Sequence, residues 1–238
     1  MKPPLLNLPT DYLRIKVVSS FEELVATPMV EGVNALCWAR SLDGDFDEVV
    51  ARIGPVDEIT GLDEEDLEGL ALSANGEIAR GRLIEDLRLL KDAGLAPNLD
   101  CIPHYPKEAD PGPVPTDVYS WHADSATVMA DTFLCSYAGT ASEGLRNEEA
   151  VRKVDIPEIR RQLLQIHGGK DDEAFKAYLH ERCFDRHYAA GKEVKPIGFG
   201  LGNLWRIATE CPGRSVPPCI HRAPITEDGQ APRLLLIS

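Results

Sequence analysis

The sequence predicts an α+β fold in which a mixed α/β segment packs on a β-rich core of the barrel or jelly-roll type. Residues 1–97 carry both strand-like and helix-like hydrophobic patterns. From residue 98 onward, short β-like runs are separated by Pro and Gly, a pattern typical of barrels and jelly rolls. Residues 147–190 interrupt these runs with helical periodicity. We therefore expect a single domain over residues 1–238, with its core in 98–238 and a helical insertion at about 147–190.

The N-terminal part is expected to contain two strands and several helices. Alternating or continuous apolar runs mark the strands, and capping residues and an amphipathic leucine repeat mark the helices. The expected strands are 12–18 and 33–39; the expected helices are a short one from Phe21 capped by Ser19 or Ser20, 46–53 capped by Asp45, and 77–93 ended by Gly94, with an acidic helix or turn at 63–70.

The core is expected to consist of short strands, and the insertion of two helices. Pro157 favours a helix start at 158–166, and an aspartate cap favours a second helix at 173–188 that ends near Gly191. The expected strands of the core are 99–105, 117–123, 131–138, 203–209, 216–223 and 232–237.

Composition narrows the classes of partner. The net charge of −14 and the lack of a Lys/Arg-rich stripe argue against nucleic acid and against anionic membrane surfaces. No apolar run is long enough for a membrane-spanning helix, and the first residues lack the apolar core of an export signal. The six cysteines contain no C-x-x-C pair and are expected to be reduced. These features predict a cytoplasmic protein whose partner is neither nucleic acid nor a membrane, and long apolar β edges favour a homodimer.

A short motif, His122-Ala123-Asp124, carries the strongest chemical signal. On a strand, residues i and i+2 point to the same side, so His122 and Asp124 can reach one metal ion. A third ligand must come from elsewhere, and His221 is the candidate. Two imidazoles and one carboxylate that leave open positions are typical of non-heme Fe(II) oxygenases. An arginine such as Arg233 can hold the far carboxylate of 2-oxoglutarate through two hydrogen bonds.

A purely structural interpretation of the same motif also remains open. The chain has six His and 39 acidic residues, so an H-x-D triplet also arises by chance. A buried histidine is more often a hydrogen-bonded core residue than a metal ligand. His122 and His221 would then be core residues of a metal-free binding or scaffold domain.

The order of several motifs resembles the 2-oxoglutarate/Fe(II) oxygenases with a double-stranded β-helix (cupin-like) fold, and more narrowly a bacterial family of unknown function. The motifs are Trp38-Ala39-Arg40, His122-Ala123-Asp124, the segment 134–140, His221-Arg222-Ala223-Pro224 and Arg233-Leu234-Leu235-Leu236. The resemblance implies Fe(II) held by His122, Asp124 and His221, and 2-oxoglutarate held by Arg233. Two departures are a separation of 97 residues between Asp124 and His221, and Leu235 where the family often has a small hydroxyl residue.

Further residues are candidates for the same site. Tyr137 is a candidate to hydrogen-bond a metal-bound carboxylate, with a core tyrosine as the favoured alternative. Trp121 and Tyr119 flank the ligands, and Trp121 is expected to pack on the outer side. The candidate substrate-binding residues are Asn147, Arg222 and Trp205. For Asn147 the alternative is a helix cap, and for Arg222 it is a salt bridge with Asp131 as the candidate partner. Trp205 is expected to line the pocket.

A competing metal site is also conceivable from spacing. His180, Cys183 and His187 fall on one face if residues 173–188 form a helix. With Cys211 or Cys219 they would make a tetrahedral zinc site. The alternative is a helix whose inner face carries Cys183.

These observations lead to one prediction and one alternative. The prediction is a non-heme Fe(II), 2-oxoglutarate-dependent dioxygenase that acts on a small organic substrate. The alternative is a cupin-like protein that binds Zn, Ni or Fe through the same ligands and has a non-oxygenase or sensing role.

Overall fold

The computed structural model describes residue 6 and residues 8–107, 109–226 and 229–238. The protein has a mixed α+β fold, as predicted. Its strands are β1 (Ile15–Val18), β2 (Ala35–Trp38), β3 (Thr60–Leu62), β4 (Asn98–Ile102), β5 (Asp131–Ala138), β6 (Glu143–Leu145), β7 (Ala150–Arg152), β8 (Tyr188–Ala190), β9 (Ile197–Gly198), β10 (Leu204–Ala208), β11 (Ile220–Arg222) and β12 (Arg233–Ile237). Its helices are α1 (Phe21–Ala26), α2 (Phe46–Ile53), α3 (Glu64–Glu68), α4 (Ala74–Asp92), α5 (Pro157–His167) and α6 (Glu173–Glu181).

A seven-stranded sheet forms the centre of the molecule, in the order β1-β2-β10-β5-β12-β4-β3. The pairs from β2 to β3 are antiparallel, and only β1 runs parallel to its neighbour β2. The register of β12 on β5 shifts between Leu234 and Leu235. Gly139, directly after β5, has φ +74°, and a Cβ there would lie 3.1 Å from the Cα of Arg233. A glycine is therefore needed where this turn passes close to the start of β12.

A smaller sheet has the order β11-β6-β9, and the motif residue His122 extends it. His122 forms antiparallel bridges with His221 on one side and with His187 on the other. His187 immediately precedes β8, which pairs with β7 in a third, two-stranded sheet. Backbone hydrogen bonds thus connect the insertion to the small sheet through the segment that carries His122.

The N-terminal helices cover one face of the large sheet. Ser20 caps α1 by accepting a hydrogen bond from the backbone N–H of Glu23, and Asp45 caps α2 through the N–H of Glu48, as predicted. The leucine repeat of α4 is buried against the sheet through Leu83, Leu87 and Leu90. The sheet residues Phe133, Cys135, Tyr137, Leu234 and Leu236 face this helical layer.

The other face of the large sheet lies against the small sheet. Because strand side chains alternate, Leu134 and Leu235 point to this face while their neighbours point to the helices. They pack with Trp205 and Phe199, whose rings stack with centroids 4.4 Å apart. The polar residues of the site lie next to this second apolar layer.

The insertion differs from the prediction in its second half. Helix α6 ends at Glu181, and residues 184–186 form a 3-10 turn that leads into β8. Cys183 between them has φ 60°, which is left-handed and incompatible with a continuing helix. The predicted helix over 173–188 is therefore wrong beyond Glu181, and the insertion contains the two strands β7 and β8 as well as helices.

Within the part of the chain that the structure describes, no helix is long and apolar enough to cross a lipid bilayer.

Candidate metal centre

His122 and His221 lie opposite each other on adjacent segments of the small sheet. Two backbone hydrogen bonds of 2.9 Å connect them, from each N–H to the other's carbonyl oxygen. Residues paired in this way point to the same side of a sheet, and their ring centroids are 4.6 Å apart. Sequence positions 99 residues apart in the chain are thus brought together by strand pairing.

Asp124 follows His122 at i+2 and points to the same side, as the motif predicts. Its Oδ1 lies 3.9 Å from Nε2 of His122, and its Oδ2 lies 3.7 Å from Nε2 of His221. Thr132 of β5 fixes this carboxylate by donating a hydrogen bond of 2.6 Å to Oδ2. The prediction that the three residues converge is supported by this geometry.

The three side chains fit a divalent transition metal. Their ligand atoms all lie within 4.8 Å of one another, and no other such group of His, Cys, Asp and Glu occurs among the described residues. Nδ1 of His122 lies 2.7 Å from the carbonyl oxygen of Ser120, and Nδ1 of His221 lies 3.3 Å from that of Cys219. An Nδ1–H that donates to a carbonyl leaves the lone pair of Nε2 free for a metal.

The charge states at neutral pH suit metal binding. Burial, together with the neighbouring His221, lowers the pKa of His122 to about 4, so its imidazole is neutral. Burial raises the pKa of Asp124, but His221, the hydrogen bond from Thr132 and His122 outweigh it, and the pKa is lowered overall. Asp124 is therefore a carboxylate, which is the form that binds a metal.

A cavity of about 180 Å³ joins the three residues to Arg233. Its walls are mostly apolar, and Ile102, Leu134 and Leu235 of the large sheet contribute to them. Asp100 also lines it, and burial raises the pKa of that carboxyl group. The cavity is thus an apolar chamber with a His–Asp–His cluster and a guanidinium at separate points of its wall.

Arg233 is held in place by uncharged oxygens. It is 1% exposed and donates to the carbonyl oxygen of Thr140 at 2.8 Å and to Oη of Tyr105 at 3.0 Å. It also donates to Oγ of Ser142 at 3.0 Å and to Oγ of Ser136 at 3.3 Å. Among the residues that the structure describes, no carboxylate forms a salt bridge with it.

The guanidinium of Arg233 is thus buried without a salt-bridge partner among the described residues. Burial lowers the pKa of Arg233, but arginine stays protonated in proteins because its ordinary pKa exceeds 12. Burying a charge without a partner is costly, so an anion that enters the cavity would bind favourably.

The structure contradicts the candidate role of Tyr137 at the metal centre and supports the core alternative. Its hydroxyl donates a hydrogen bond of 2.5 Å to Asp86, and its ring stacks on Phe46 with centroids 5.4 Å apart. Both partners belong to the helical layer on the opposite face of the large sheet. Tyr137 is one residue out of phase with Ser136, which reaches Arg233, and it is a core tyrosine.

The three candidate substrate-binding residues do not line the cavity. Asn147 accepts hydrogen bonds from Tyr12 and Asn34 and donates to the carbonyl oxygen of Pro218. Its role is therefore structural, because it connects three distant segments of the chain. Trp205 is 1% exposed between the two sheets and donates to the carbonyl oxygen of Phe199.

Arg222 points away from the cavity because it neighbours His221 on the strand. It forms a salt bridge of 2.7 Å with Glu143 and lies 4.2 Å above the ring of Trp121. The alternative of a salt bridge is thus correct in kind, although the predicted partner Asp131 pairs with Arg206 and Arg214. Trp121 packs on the outer side, as predicted.

The alternative zinc cluster does not form. The side chain of His180 is 70% exposed and hydrogen-bonds Asp185, whereas Cys183 and His187 lie beyond the end of α6. His187 instead approaches His122, with ring centroids 5.8 Å apart.

Several residues of the site carry no signal in the sequence that would assign them to it. Thr132, Ser136 and Ser142 are ordinary hydroxyl residues, and only the phase of β5 relative to the cavity distinguishes the first two. Tyr105 and His187 reach the site from a loop and from the insertion, so no local pattern marks them. These residues are visible only once the strands are paired.

Comparisons of the chain with family models, with curated proteins and with solved structures find no match.

Proposed function

We propose that this chain is a non-heme Fe(II), 2-oxoglutarate-dependent dioxygenase of the double-stranded β-helix (cupin-like) type that acts on a small organic substrate. One observation carries the proposal. A single cavity contains a His–Asp–His cluster and, at another point of its wall, a buried guanidinium that forms no salt bridge with a carboxylate among the described residues.

The connectivity of the strands supports the jelly-roll part of the proposal. Jelly rolls have eight strands in two packed sheets. Here the large sheet contributes β4, β5, β10 and β12, and the small one contributes the His122 segment, β6, β9 and β11. All their pairings are antiparallel, and the chain passes back and forth between the two sheets. The additional strands β1, β2 and β3 extend the large sheet at its two edges.

The donor set favours iron in an open coordination sphere. His122, Asp124 and His221 would occupy three positions of an octahedral ion and leave three for exogenous ligands. Iron(II) there supplies the redox chemistry in which 2-oxoglutarate, O2 and a substrate R–H give succinate, CO2 and R–OH.

The surrounding residues position the reactants. Arg233 would hold the distal carboxylate of 2-oxoglutarate, and Ser136, Ser142 and Tyr105 hold Arg233 itself in a fixed orientation. The oxygenase family often has a small hydroxyl residue at the position of Leu235. Here the hydroxyl groups next to Arg233 come instead from Ser136, Ser142 and Tyr105. Thr132 fixes the ligand Asp124, and the apolar walls exclude water.

The test is metal and co-substrate binding. The protein is loaded anaerobically with Fe(II), and 2-oxoglutarate is added while the visible spectrum is recorded. We expect one iron per chain, a weak charge-transfer band on adding 2-oxoglutarate, and succinate once O2 is admitted. The absence of both band and succinate would overturn the proposal.

Variants separate the metal site from its alternatives. His221→Ala should weaken iron binding by at least about 100-fold, because it removes one of three ligands. His180→Ala is the matched control, since that histidine is exposed and outside the cluster, and it should bind iron as the parent does. Unchanged metal binding in His221→Ala supports a metal-free domain. Stoichiometric zinc that cannot be exchanged for active iron supports the non-oxygenase alternative.

A further inference from the structure

A second cavity of about 500 Å³ lies on the insertion side of the metal centre. It shares His122, Asp124 and Thr132 with the first cavity, so the two meet at the cluster. From the insertion it is lined by Cys183, Arg186 and His187. We call it the insertion cleft; its other walls come from residues 116–118, Ala123, Ser125, Ile237 and Ser238.

His187 stands beside the cluster on the same face of the sheet. It is paired with His122 in the same antiparallel manner as His221, so three histidine side chains form a row. His187 is 4% exposed, and its Nδ1 is buried without a hydrogen-bond partner among the described residues. Unsatisfied buried polar atoms are rare in folded proteins and call for an explanation.

Arg186 differs from most arginines of this acidic chain. Arg14 and Arg146, which line other cavities, form salt bridges of 2.7 Å and 2.6 Å with carboxylates. The nearest carboxylate oxygen to Arg186 belongs to its neighbour Asp185, at 3.8 Å from Nε, and this Nε is buried without a hydrogen bond. Its two Nη atoms donate to Ser125 and to the carbonyl oxygen of His180. The two Nη atoms are therefore hydrogen-bonded by neutral groups, as those of Arg233 are, while the carboxylate of Asp185 lies within ion-pair distance of Nε without accepting a hydrogen bond from it.

A tight turn fixes both side chains at the cleft. Cys183 has φ 60°, and its carbonyl oxygen accepts a hydrogen bond of 3.2 Å from the N–H of Arg186. The carbonyl oxygen of Arg186 accepts from the N–H of Ala123, which lies between the two motif ligands. Left-handed backbone at a residue other than glycine is strained and is found preferentially at functional sites.

Asp117 is the remaining acidic residue on the cleft besides the ligand Asp124. Its Oδ1 accepts hydrogen bonds of 3.0 Å from the backbone N–H groups of Tyr119 and Ser120. It is therefore already engaged, and it lies near Lys153, whose pKa it raises against the larger lowering by burial. Arg186 is thus the one Lys or Arg side chain among the described residues that line the cleft.

We propose that the insertion cleft binds the primary substrate, that this substrate carries a carboxylate held by Arg186, and that His187 makes a second polar contact with it. The inference rests on the proposed function for the reaction, in which the carboxylate is unchanged and a neighbouring C–H bond becomes C–OH at the expense of O2 and 2-oxoglutarate. The insertion would therefore select the substrate, while the two sheets provide the metal centre and the co-substrate site.

The test measures binding without turnover. Zinc-loaded protein saturated with 2-oxoglutarate is titrated with propionate, benzoate, phenylacetate and N-acetylglycine, each paired with its primary amide, and binding is followed by ligand-observed NMR. We expect at least one carboxylate to bind at least 10-fold more tightly than its amide. Arg186→Gln should weaken that binding at least 10-fold, and Arg186→Lys by less, because it keeps the charge without the planar fork.

Matched controls come from the same segment. Arg182→Gln removes the same charge from an exposed position outside the cleft and should change binding less than twofold. His187→Phe should weaken binding several-fold, whereas His180→Phe should not. Equal binding by Arg186→Gln and the parent, an amide that binds as tightly as its acid, or no binding by any probe would each overturn the inference.

The two proposals fail separately. Arg186-dependent carboxylate binding in a protein that shows no iron–2-oxoglutarate band would refute the dioxygenase and keep the cleft. A normal band with binding indifferent to Arg186 would refute the cleft and keep the dioxygenase.

Discussion

Two arginines are buried on opposite faces of the large sheet, and only one has a counter-ion. Arg40, two residues after the end of β2, forms two hydrogen bonds of 2.7 Å and 2.8 Å with the carboxylate of Asp86 on α4. Their side chains are 9% and 3% exposed. Arg233, on the cavity face, is 1% exposed and is bonded only to neutral oxygens within the described residues.

The difference teaches which buried charge serves the fold and which serves a ligand. A buried charge is tolerated when it is paired and fully hydrogen-bonded. Arg40 satisfies this rule within the protein, and Tyr137 completes the network by donating to Asp86. Arg233 has hydrogen-bond partners but no salt bridge among the described residues, so an anion in the cavity would stabilise its charge.

Breaking the paired side should have the largest effect. Asp86→Ala leaves Arg40 charged and buried, and we expect it to lower the free energy of unfolding by about 3–5 kcal/mol. Urea denaturation followed by circular dichroism measures this change. Glu64→Gln is the control, because Glu64 pairs with Arg88 and Lys91 at the surface, where such pairs contribute less than about 1 kcal/mol. A loss below about 1 kcal/mol in Asp86→Ala would contradict the structural role of the pair.

Protonation of His122, which adds a positive charge to the cavity face, should have the next largest effect on stability. The pKa of His122 falls from its ordinary 6.5 to about 4 on burial. Between these values the unfolded chain binds a proton that the folded chain does not, so stability of the metal-free protein falls as the pH decreases from about 6.5 to about 4. We expect a loss of about 2–3 kcal/mol over this range.

The histidine variants identify the source of this pH dependence. Urea denaturation at pH 7 and at pH 4.5 should show a smaller difference for His122→Gln than for the parent. His180→Gln, which changes an exposed histidine, should keep the parental difference. If His122→Gln also keeps it, the buried neutral imidazole is not its cause.

Removing the unpaired arginine should affect binding more than stability. Arg233→Met deletes the charge-assisted hydrogen bonds to the co-substrate carboxylate, and we expect 2-oxoglutarate affinity to fall about 100-fold. The free energy of unfolding should change less than in Asp86→Ala, because an uncompensated charge is removed together with its hydrogen bonds. Calorimetric titration measures the affinity. Arg222→Met is the control, since Arg222 pairs with Glu143 on the outer side. A similar loss in both variants would place the anion site elsewhere.

The sequence predicts those features of the fold and of the site that depend on local pattern. The H-x-D spacing placed His122 and Asp124 on one side of a segment, and the run 131–138 was predicted with the bounds that β5 has. The capping aspartate of α2 was also predicted. In each case the information lies within a few neighbouring residues, and the physics of strands and caps is local.

Features that depend on long-range pairing escaped prediction. Both faces of β5 are covered, so hydrophobicity does not tell which of Ser136 and Tyr137 faces the cavity. Cys183 turns left-handed without a glycine to announce it, and β8 exists because it pairs with β7. The partners of Arg40 and Arg233 likewise come from distant segments, so the sequence alone does not reveal which arginine lacks a counter-ion.

The smallest expected effect concerns a buried polar group that is neutral and fully satisfied. Asn147 receives hydrogen bonds from Tyr12 and Asn34 and donates to the carbonyl oxygen of Pro218, and it lines neither cavity. Asn147→Ala should lower the free energy of unfolding by about 1–2 kcal/mol, because it leaves these buried partners unsatisfied. The affinities for 2-oxoglutarate and for carboxylates should stay within twofold of the parent. Asn98→Ala, at an exposed position of β4, should change neither quantity. A variant of Asn147 with parental stability and weakened binding would return this residue to the site and would show that neutral, paired groups also take part in recognition.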